Sequence, residues 1–567
     1  MFTCVATFYL KQDKAMKFLS KKTILSVLGG ISLCVICAFS ITKSTKVLSV
    51  AKSPNIIVIM ADDMGYSDIG CYGSEISTPN LDRLAAGGIR FKQFYNGARC
   101  CPTRASLLTG LYPHQAGIGH MTNDPEDSTA FQMNLPGYQG GLNNKCVTLA
   151  EVLKSAGYQT FMSGKWHVGY HGINRWPLQR GFDKYYGILA GATNYFNPEG
   201  LRGLTFMNEA VKPQGENFYL TDAITDNALN FIDQSRSTAK APFFLYLAYT
   251  SPHWPLQAFK ADIDQYRGKY KMGWKKLREA RYQRMREIGL LKPSDGLTAD
   301  DAEEWDKLSP AKQDEMDLRM SIYAAQIDRM DQNIGRLIKS LEKSGALENT
   351  LILFLADNGA CAEGGMLGGG LKENLETKKG YLLSYGQSWA NVSNTPFKKY
   401  KHWVNEGGIS TPLIVHWPKA IPKALNGEIT NQFGFLPDIM ATLVEVSGAK
   451  YPLTFKGNKI FPMEGKSLLP IIRGYDVPIH DKPIFWEHEG NAAVRSGNFK
   501  LICEYYAGKQ NKWALYDMAK DRSELVDLST LMPEQVKIMQ KEYEAWANRV
   551  GVVPFEEIQK IMASRKK

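Results

Sequence analysis

Four short apolar runs, each followed at once by polar residues, constrain the fold of this chain most strongly. They are Asn55–Ala61, Thr160–Ser163, Phe243–Tyr249 and Leu351–Ala356. Continuous apolar runs of this length are typical of strands that are covered by helices on both faces. Helical spacing lies between them, as at Thr148–Ala156 and Ile322–Ser344. We therefore predict an α/β fold, with a large mixed, mostly parallel sheet sandwiched by helices.

The polar residues that follow these runs predict a single site. They are Asp62-Asp63, Gly164-Lys165-Trp166-His167, Ser251-Pro252-His253 and Asp357-Asn358. In open α/β sheets, ligands bind at the carboxyl ends of the strands. Four polar clusters at four strand ends are explained most simply if all of them face one ligand.

The pattern changes after a helix-like stretch at Leu436–Val446. Short strands with tight polar connections follow at Lys482–Trp486, Ala492–Arg495, Phe499–Cys503 and Trp513–Tyr516. They predict a small antiparallel sheet, and Pro533–Arg549 has the spacing of a helix that packs against it. We expect a large domain at 53–474 and a small C-terminal α+β subdomain at 475–567.

A charged insertion and a glycine-rich loop interrupt the α/β pattern. The insertion at Ala258–Met320 is rich in lysine and glutamate, as in Lys275–Arg286 and Asp300–Leu308, and predicts amphipathic helices with a solvated charged face. The glycines of Gly364–Gly370 lack the spacing of a phosphate-binding loop. We expect a flexible loop beside a substrate cleft.

The N-terminus has the order of an export signal. Lys21-Lys22 precede an apolar run at Ile24–Phe39, so residues 1–45 are expected to be a signal peptide and leader. A membrane anchor is the alternative, but the run falls short of the ~20 residues that span a bilayer. Cys34 and Cys37 leave lipidation open. No later segment is long and apolar enough for a stable span, and we expect an exported protein that is periplasmic, secreted or in a lysosome-like compartment.

The formal net charge of +11 does not indicate a nucleic-acid partner. Six lysines and one aspartate lie within the first 44 residues, so the predicted leader carries five of these charges. The rest of the chain has no arginine-rich run and no DNA-reading motif. Its modest positive charge suits an anionic small molecule or glycan, and we expect no nucleic acid to bind.

Three carboxylates and one amide at the strand ends predict a metal site. They belong to Asp62, Asp63, Asp357 and Asn358. An all-oxygen ligand set suits Ca²⁺ or Mg²⁺ rather than zinc. Either pair by itself is more typical of a helix N-cap or a turn than of a metal site, so the prediction depends on the four residues acting together.

The stretch Cys100-Cys101-Pro102-Thr103-Arg104, continuing to Gly110 as A-S-L-L-T-G, is the most specific motif. Two adjacent cysteines alone would suggest buried thiols or a disulfide partner. The whole stretch, with the form C-x-P-x-R followed by L-L-T-G, resembles the signature of type I sulfatases in the alkaline phosphatase-like superfamily. Cys101 departs from that family, which more often has a small hydroxyl residue or alanine at this position.

The resemblance covers roughly Pro54 to Pro418 and implies both the chemistry and the site. Cys100 would be oxidised to formylglycine by a formylglycine-generating or equivalent maturation enzyme, and 53–474 would be the sulfatase catalytic domain. The implied metal ligands, around Ca²⁺ with Mg²⁺ as the alternative, are Asp62, Asp63, Asp357, Asn358 and the modified Cys100. The implied catalytic residues are Cys100, Arg104, Lys165, His167, His253, Lys401 and Asp357. Lys401 is selected over Lys398 and Lys399 because it stands five residues before Glu406, as in the family's K-x-x-x-x-E-G-G segment.

The resemblance further implies a sulfuric ester hydrolase of the arylsulfatase type, which converts R–OSO₃⁻ and water to R–OH and sulfate. The hydrated aldehyde would attack sulfur while Asp357 takes up its proton, and His167 would accept the proton of the second hydroxyl. Arg104 and Lys165 would hold the diol. Lys165, Lys401 and the cation would hold the sulfate, and His253 would serve the leaving oxygen.

Two other functions stay open from the sequence. A phosphatase or phosphodiesterase of the same superfamily would share the metal-binding aspartates, but such enzymes normally place serine or threonine where Cys100 stands. A non-catalytic binder of sulfated glycans would result if Cys100 were left unmodified. The substrate is also open, since an aryl sulfate and a sulfated carbohydrate suit the motifs equally.

Overall fold

In the computed structural model, a ten-stranded mixed sheet runs through the described residues, which are 53–121, 125–126, 133–238 and 241–565. In chain order its strands are β1 (Asn55–Ala61), β2 (Ile89–Tyr95), β3 (Gln159–Lys165), β4 (Lys184–Ile188), β5 (Leu204–Phe206), β6 (Glu209–Val211), β7 (Phe243–Ala248), β8 (Thr350–Ala356), β9 (Ser410–His416) and β10 (Glu428–Phe435). In space they follow the order β10-β2-β9-β8-β1-β7-β3-β4-β5-β6. The predicted leader, 1–45, lies outside the described residues.

The five central strands, β8, β1, β7, β3 and β4, are all parallel. Strand β9 pairs antiparallel with both β8 and β2, and the β4-β5-β6 edge is antiparallel as well. The predicted mixed, mostly parallel sheet is therefore confirmed. The parallel centre brings the carboxyl ends of β1, β3, β7 and β8 to one edge.

Strand β1 shows why these strands read as continuous apolar runs. Its residues from Ile56 to Ala61 are completely buried. Ile57 and Ile59 belong to the hydrophobic core on one face of the sheet, and Val58 and Met60 to the core on the other. Because successive strand residues point to opposite faces, a sheet covered on both sides requires an apolar residue at every position.

Fourteen helices are present in the described residues. They are α1 (Pro79–Ala86), α2 (Cys100–Thr109), α3 (Pro113–Ala116), α4 (Leu149–Ser155), α5 (Leu220–Thr238), α6 (Lys260–Asp264), α7 (Trp274–Glu287), α8 (Pro310–Lys343), α9 (Gly386–Ser393), α10 (Glu406–Ile409), α11 (Pro437–Ser447), α12 (Leu469–Ile472), α13 (Pro533–Val550) and α14 (Phe555–Arg565). Helices α1, α5 and α8 cover one face of the sheet, and α2, α4 and α11 cover the other. Within the described residues, no helix is long and apolar enough to cross a membrane.

Side-chain caps set the starts of two helices. The Thr148 side chain accepts a hydrogen bond from the backbone N–H of Glu151, and the Glu151 carboxylate accepts one from the backbone N–H of Thr148. This capping box explains why helix α4 begins directly after Thr148. Helix α8 begins at Pro310, well before the predicted start at Ile322, because Ser309 caps it by accepting from the Lys312 N–H.

The C-terminal strands form a four-stranded antiparallel sheet, as predicted. They are β13 (Ile484–His488), β14 (Asn491–Ser496), β15 (Phe499–Cys503) and β16 (Trp513–Asp517). A two-stranded ribbon precedes them, with β11 (Thr454–Phe455) and β12 (Asn458–Lys459). Lys500 on β15 donates to the Glu406 carboxylate at 2.8 Å, which ties this sheet to the start of α10. The described residues from Ser53 onward pack as one compact unit, and the domain boundary near 474 stays a prediction.

The charged insertion is less exposed than predicted. Arg278 and Arg281 on α7 are each only 1% exposed. Arg281 donates to Asp68 at 2.6 Å and to Glu75 at 2.8 Å, so its charge is neutralised in the interior rather than by solvent. The stretch Asp300–Leu308 contains only one short helical turn, at Trp305–Lys307, instead of an amphipathic helix.

Candidate active site

A cavity of about 650 Å³ opens at the carboxyl edge of the parallel strands. Cys100, His167, His253 and Lys401 line it, so residues that are far apart in sequence meet on one surface. Asp62 and Asp63 directly follow β1, Lys165 ends β3, and Asp357 directly follows β8. The structure thus brings the strand-end residues that the sequence singled out to one place.

Asp63 lies at the centre of the buried charges. Its Oδ2 accepts a hydrogen bond from Lys401 Nζ at 2.9 Å and lies 3.4 Å from His253 Nε2. Its Oδ1 accepts from Asn358 Nδ2 at 2.7 Å. Burial acts to raise the pKa of Asp63, but the charges of Lys401, His253 and Lys165 outweigh it and lower that pKa below its usual range.

Two buried oxygens beside Asp63 are left for a cation. Asp62 Oδ2 accepts from Lys165 Nζ at 2.7 Å, but Asp62 Oδ1 accepts no hydrogen bond and lies 3.6 Å from Arg104. Asn358 Oδ1 also accepts no hydrogen bond. A buried oxygen without a hydrogen-bond donor is costly unless an ion or water satisfies it. These oxygens therefore fit a hard divalent cation.

Asp357 lies between Arg104 and the metal-site residues. Its Oδ2 accepts from Arg104 Nη2 at 2.8 Å, and its Oδ1 accepts from the Asp63 N–H at 3.1 Å. Burial, followed by the negative charge of Asp62, raises the pKa of Asp357 to about 7. Arg104 also donates to the Lys165 carbonyl at 3.0 Å, which fixes its guanidinium against the end of β3.

Cys100 is the first residue of helix α2 and is fully buried. Burial is the main reason that the pKa of its thiol is raised. The charges of Lys165 and Lys401 act to lower this pKa, and the charge of Asp357 acts to raise it, so Cys100 interacts electrostatically with both the basic and the acidic residues of the site. Cys101 Sγ lies 3.7 Å from the His120 carbonyl oxygen. Of the two adjacent cysteines, Cys100 lines the cavity and Cys101 does not.

Two histidines, His167 and His253, line the charged part of the cavity. His253 Nδ1 is 2.6 Å from the Trp254 carbonyl oxygen, so this nitrogen carries the proton and Nε2 faces Asp63. Burial is the main reason that the pKa of His253 falls to about 4. Burial, with the nearby charges of Lys165 and Arg104, lowers the pKa of His167 well below its usual value. Both imidazoles are therefore neutral at pH 7 in the absence of ligand.

Of the three neighbouring lysines Lys398, Lys399 and Lys401, it is Lys401 that contacts the site. Its backbone N–H donates to the Ala360 carbonyl at 3.1 Å, and its Nζ lies 3.6 Å from Glu363. Lys398 instead donates to Tyr516 on β16, and Lys399 donates to Tyr506 in the connection between β15 and β16. The spacing to Glu406 therefore selected the one lysine of the three that contacts Asp63.

Three residues of the cavity wall that contact one another, Arg99, Trp254 and Glu363, are among those without an assignment from sequence. Arg99 Nη2 lies 3.1 Å from Glu363 Oε1, and Trp254 Nε1 donates to Glu363 Oε2 at 2.8 Å. Burial acts to raise the pKa of Glu363, but Lys401 and Arg99 lower it to about 2. Glu363 follows the strand end at Asp357, a signal that could have found it. For Arg99 and Trp254, the signal in the sequence is limited to their positions directly next to Cys100 and His253.

A second group of potential metal ligands consists of His402, His488 and Glu489, of which Glu489 lines the same cavity. Asn491 Oδ1 accepts from the Tyr505 N–H at 3.0 Å, so its Nδ2 donates to His402 Nε2 at 3.2 Å. The His402 proton must then sit on Nδ1, which lies 3.3 Å from Glu489. Both nitrogens of His402 are thus engaged, and His402 has no free lone pair for a cation in this arrangement.

Comparison with known families agrees with this geometry. The family model described as Sulfatase matches residues 54–449, and a model described as N-sulphoglucosamine sulphohydrolase, C-terminal, matches residues 397–546. An uncharacterized sulfatase of Schizosaccharomyces pombe is 34% identical over 89% of this chain and 95% of its own length. An arylsulfatase of Klebsiella aerogenes is 35% identical over 74% of this chain and 92% of its own length.

Solved structures share the fold along most of the chain. Ps i-CgsB in complex with k-i-k-neocarrahexaose is 28% identical, covers 88% of this chain and 93% of its own, and has a TM-score of 0.64. The family model alone covers more than half of the chain. The chain therefore belongs to the sulfatase family and is a sulfuric ester hydrolase.

Proposed function

We propose that this sulfatase cleaves sulfate esters at the charged end of the cavity, with Cys100 converted to formylglycine beside a divalent cation. The observation that carries the proposal is the pairing of three buried carboxylates with three buried basic side chains around Cys100. The carboxylates are those of Asp62, Asp63 and Asp357, and the basic side chains are those of Arg104, Lys165 and Lys401. Carboxylates suit a cation and basic groups suit a sulfate, so the set can hold both.

The cation would be held by Asp62, Asp63, Asp357 and Asn358, with the modified Cys100 as a further ligand. The unsatisfied oxygens of Asp62 and Asn358 support this assignment. The donors are all hard oxygens, which favours Ca²⁺ with Mg²⁺ as the alternative. When bound, the ion would neutralise sulfate oxygens and orient the hydrated aldehyde.

The aldehyde chemistry explains why a cysteine stands at this position. A hydrated aldehyde offers one hydroxyl for attack on sulfur and a second from which sulfate is later expelled. Pro102 and Arg104, which belong to the modification motif, are buried in the folded protein. A maturation enzyme that reads these residues would therefore have to act before α2 packs into the fold.

Asp357 and His167 are the proposed proton acceptors. Burial and the negative charge of Asp62 raise the pKa of Asp357, which makes its carboxylate a better proton acceptor for the attacking hydroxyl. Arg104, at 2.8 Å, holds that carboxylate in place and would also contact the diol. His167 is neutral because its pKa is lowered, and it can accept the proton of the second hydroxyl.

Lys165, Lys401 and His253 are the proposed sulfate-binding and leaving-group residues. The two lysines present positive charge where oxyanion charge develops. His253, aided by Lys401, would protonate or stabilise the leaving oxygen. A bound sulfate ester adds negative charge beside His253, and this charge raises the pKa of the imidazole toward the protonated form that a general acid needs.

The substrate class we propose is an aryl sulfate or a sulfated carbohydrate. The wall of the cavity carries aromatic side chains, including Tyr170, Trp254 and Tyr381, which suit the flat face of an aryl ring or a sugar. Relatives include an arylsulfatase and an N-acetylgalactosamine-6-sulfatase of Rattus norvegicus, the latter 28% identical over 79% of this chain. The lysine pair and apolar run near the N-terminus support export to a periplasmic, secreted or lysosome-like location.

Hydrolysis of matched esters tests this function. We expect 4-nitrophenyl sulfate to be hydrolysed with a much larger kcat/KM than 4-nitrophenyl phosphate, and Cys100→Ala to abolish the reaction. Cys101→Ala is the matched control and should retain activity, because Cys101 does not line the cavity. A preference for the phosphate ester would contradict the proposal and favour a phosphatase.

A further inference from the structure

The C-terminal helix α14, Phe555–Arg565, reaches the cavity that contains Cys100. Phe555 and Met562 both line it, about two helical turns apart, with the buried Ile558 between them. The family-model matches end at residues 449 and 546, so this helix lies beyond both of them. The helix therefore belongs to the part of the site that the family assignment does not describe.

The helix is anchored on the face that it presents to the body of the protein. Ile558 is 1% exposed and packs with Met133 and Tyr138. Val553, just before the helix, donates its N–H to Tyr138 Oη at 3.0 Å. The Phe555 ring meets the Tyr505 ring edge-on, with 5.5 Å between the ring centroids. These contacts make the helix a fixed wall rather than a loose tail.

The lining of the cavity is charged beside Cys100, where Lys401 and the two histidines lie. The rest of the lining is mixed, with Phe555, Met562, Tyr381 and Leu382 as its apolar or aromatic residues. It also contains Arg202, which lies over the Tyr381 ring, 5.1 Å from the ring centroid. A sulfate monoester has the same division, because its charge is confined to the sulfate. Its other half then lies against the apolar lining.

We propose that α14 is a specificity-determining wall, in which Phe555 and Met562 contact the group that is esterified to the sulfate. The inference rests on the proposed function for the position of the sulfate. It assigns to these two residues the recognition of substrates with a flat apolar face, such as an aryl ring or the C–H face of a pyranose. Because this contact is equal in the ground state and the transition state, it sets KM rather than kcat.

The test compares a Phe555→Ala/Met562→Ala double variant with Lys560→Ala, an exposed position on the same helix. With 4-methylumbelliferyl sulfate, we expect the double variant to raise KM about tenfold and to leave kcat within about twofold, as for a loss of uniform apolar binding. The inhibition constant of inorganic sulfate, which occupies only the charged end, should not change. Lys560→Ala should match the wild-type protein in KM, in kcat and in the inhibition constant of inorganic sulfate.

An unchanged KM in the double variant would overturn the proposal. A weaker inhibition by inorganic sulfate would also overturn it, since the whole cavity would then have been disturbed. Binding of 2-naphthalenesulfonate, an aryl sulfonate with no ester to cleave, separates this inference from the proposed function. If the wild-type protein bound 2-naphthalenesulfonate but released no sulfate from esters, the proposed function would fail. Weaker binding by the double variant would then still support the wall, and equal binding would reject it.

Discussion

Lys401 Nζ donates a hydrogen bond to Asp63 Oδ2 at 2.9 Å, although 338 positions separate the two residues in the sequence. Both side chains are almost completely buried. The contact joins the turn after β1 to the segment that precedes β9, so the central strand and the lysine motif meet at the charged end of the cavity. A buried ion pair of this kind holds a positive charge in place for an anionic ligand.

Replacement of Lys401 should damage catalysis far more than replacement of its neighbours. We expect Lys401→Ala to lower kcat/KM for 4-nitrophenyl sulfate by about 10²–10³-fold, because a preorganised charge on the sulfate is lost. Lys398→Ala is the matched control, since Lys398 contacts Tyr516 instead of the site. Steady-state kinetics measures both variants, and equal losses of kcat/KM would contradict a role of Lys401 in binding the sulfate.

Chelation should abolish activity, and Ca²⁺ or Mg²⁺ should restore it. Asp62→Asn keeps the size of the side chain but removes one of the charges that would hold the ion, so we expect at least about tenfold weaker calcium binding by calorimetry on chelated protein. Asp264→Asn is the control, at an exposed aspartate that pairs with Lys260 on its own helix. Full activity of the metal-free protein would contradict the site.

The importance of His253 should depend on the leaving group. Nitrophenolate leaves well as an anion, whereas a sugar alcohol needs a proton, and general acid catalysis contributes about 10²–10⁴-fold. His253→Ala should therefore reduce turnover of a sulfated sugar far more than turnover of 4-nitrophenyl sulfate. Lys165→Ala should reduce both alike, because the sulfate is common to both substrates. Similar losses for His253→Ala on the two substrates would leave it as a sulfate-binding residue only.

Lys500 should be important for stability rather than for chemistry. It is buried and donates to Glu406 and Glu524, each at 2.8 Å. Lys500→Met removes the cation that both carboxylates share and leaves Glu406 with the Arg522 cation, at 3.3 Å. Breaking a buried pair in this way costs about 3–5 kcal/mol of unfolding free energy. Lys520→Met, at an exposed lysine, should change that free energy little. Chemical unfolding of the two variants measures the difference, and equal midpoints would reject the role.

The parallel strands were predictable because burial on both faces leaves a continuous apolar run. Asn55–Ala61 was predicted with the bounds that the structure has. Strand β2 carries no such signal, because Arg90, Lys92 and Gln93 interrupt its apolar residues. Arg90 is tolerated there because it donates to the Cys71 carbonyl at 2.8 Å, a partner that only the fold provides.

The same limit applies to the site. Residues inside short motifs, such as Cys100 and Lys165, could be proposed from sequence because the neighbouring residues of the motif identify them. Phe555 and Met562 have no motif around them, and only the packing of α14 brings them to the cavity. The burial of Arg281 by Asp68 is likewise a tertiary pairing that a charged helix does not reveal.

The mass of the peptide that contains Cys100 tests the central claim most directly. Only Cys100 has proline and arginine two and four positions later, so it should be the residue that is converted. A proteolytic peptide that spans Cys100 and Cys101, taken from active enzyme, should be about 18 Da lighter than the form with two thiols, with the change located at Cys100. An intact thiol at Cys100 in active enzyme, or an aldehyde at Cys101, would contradict the account.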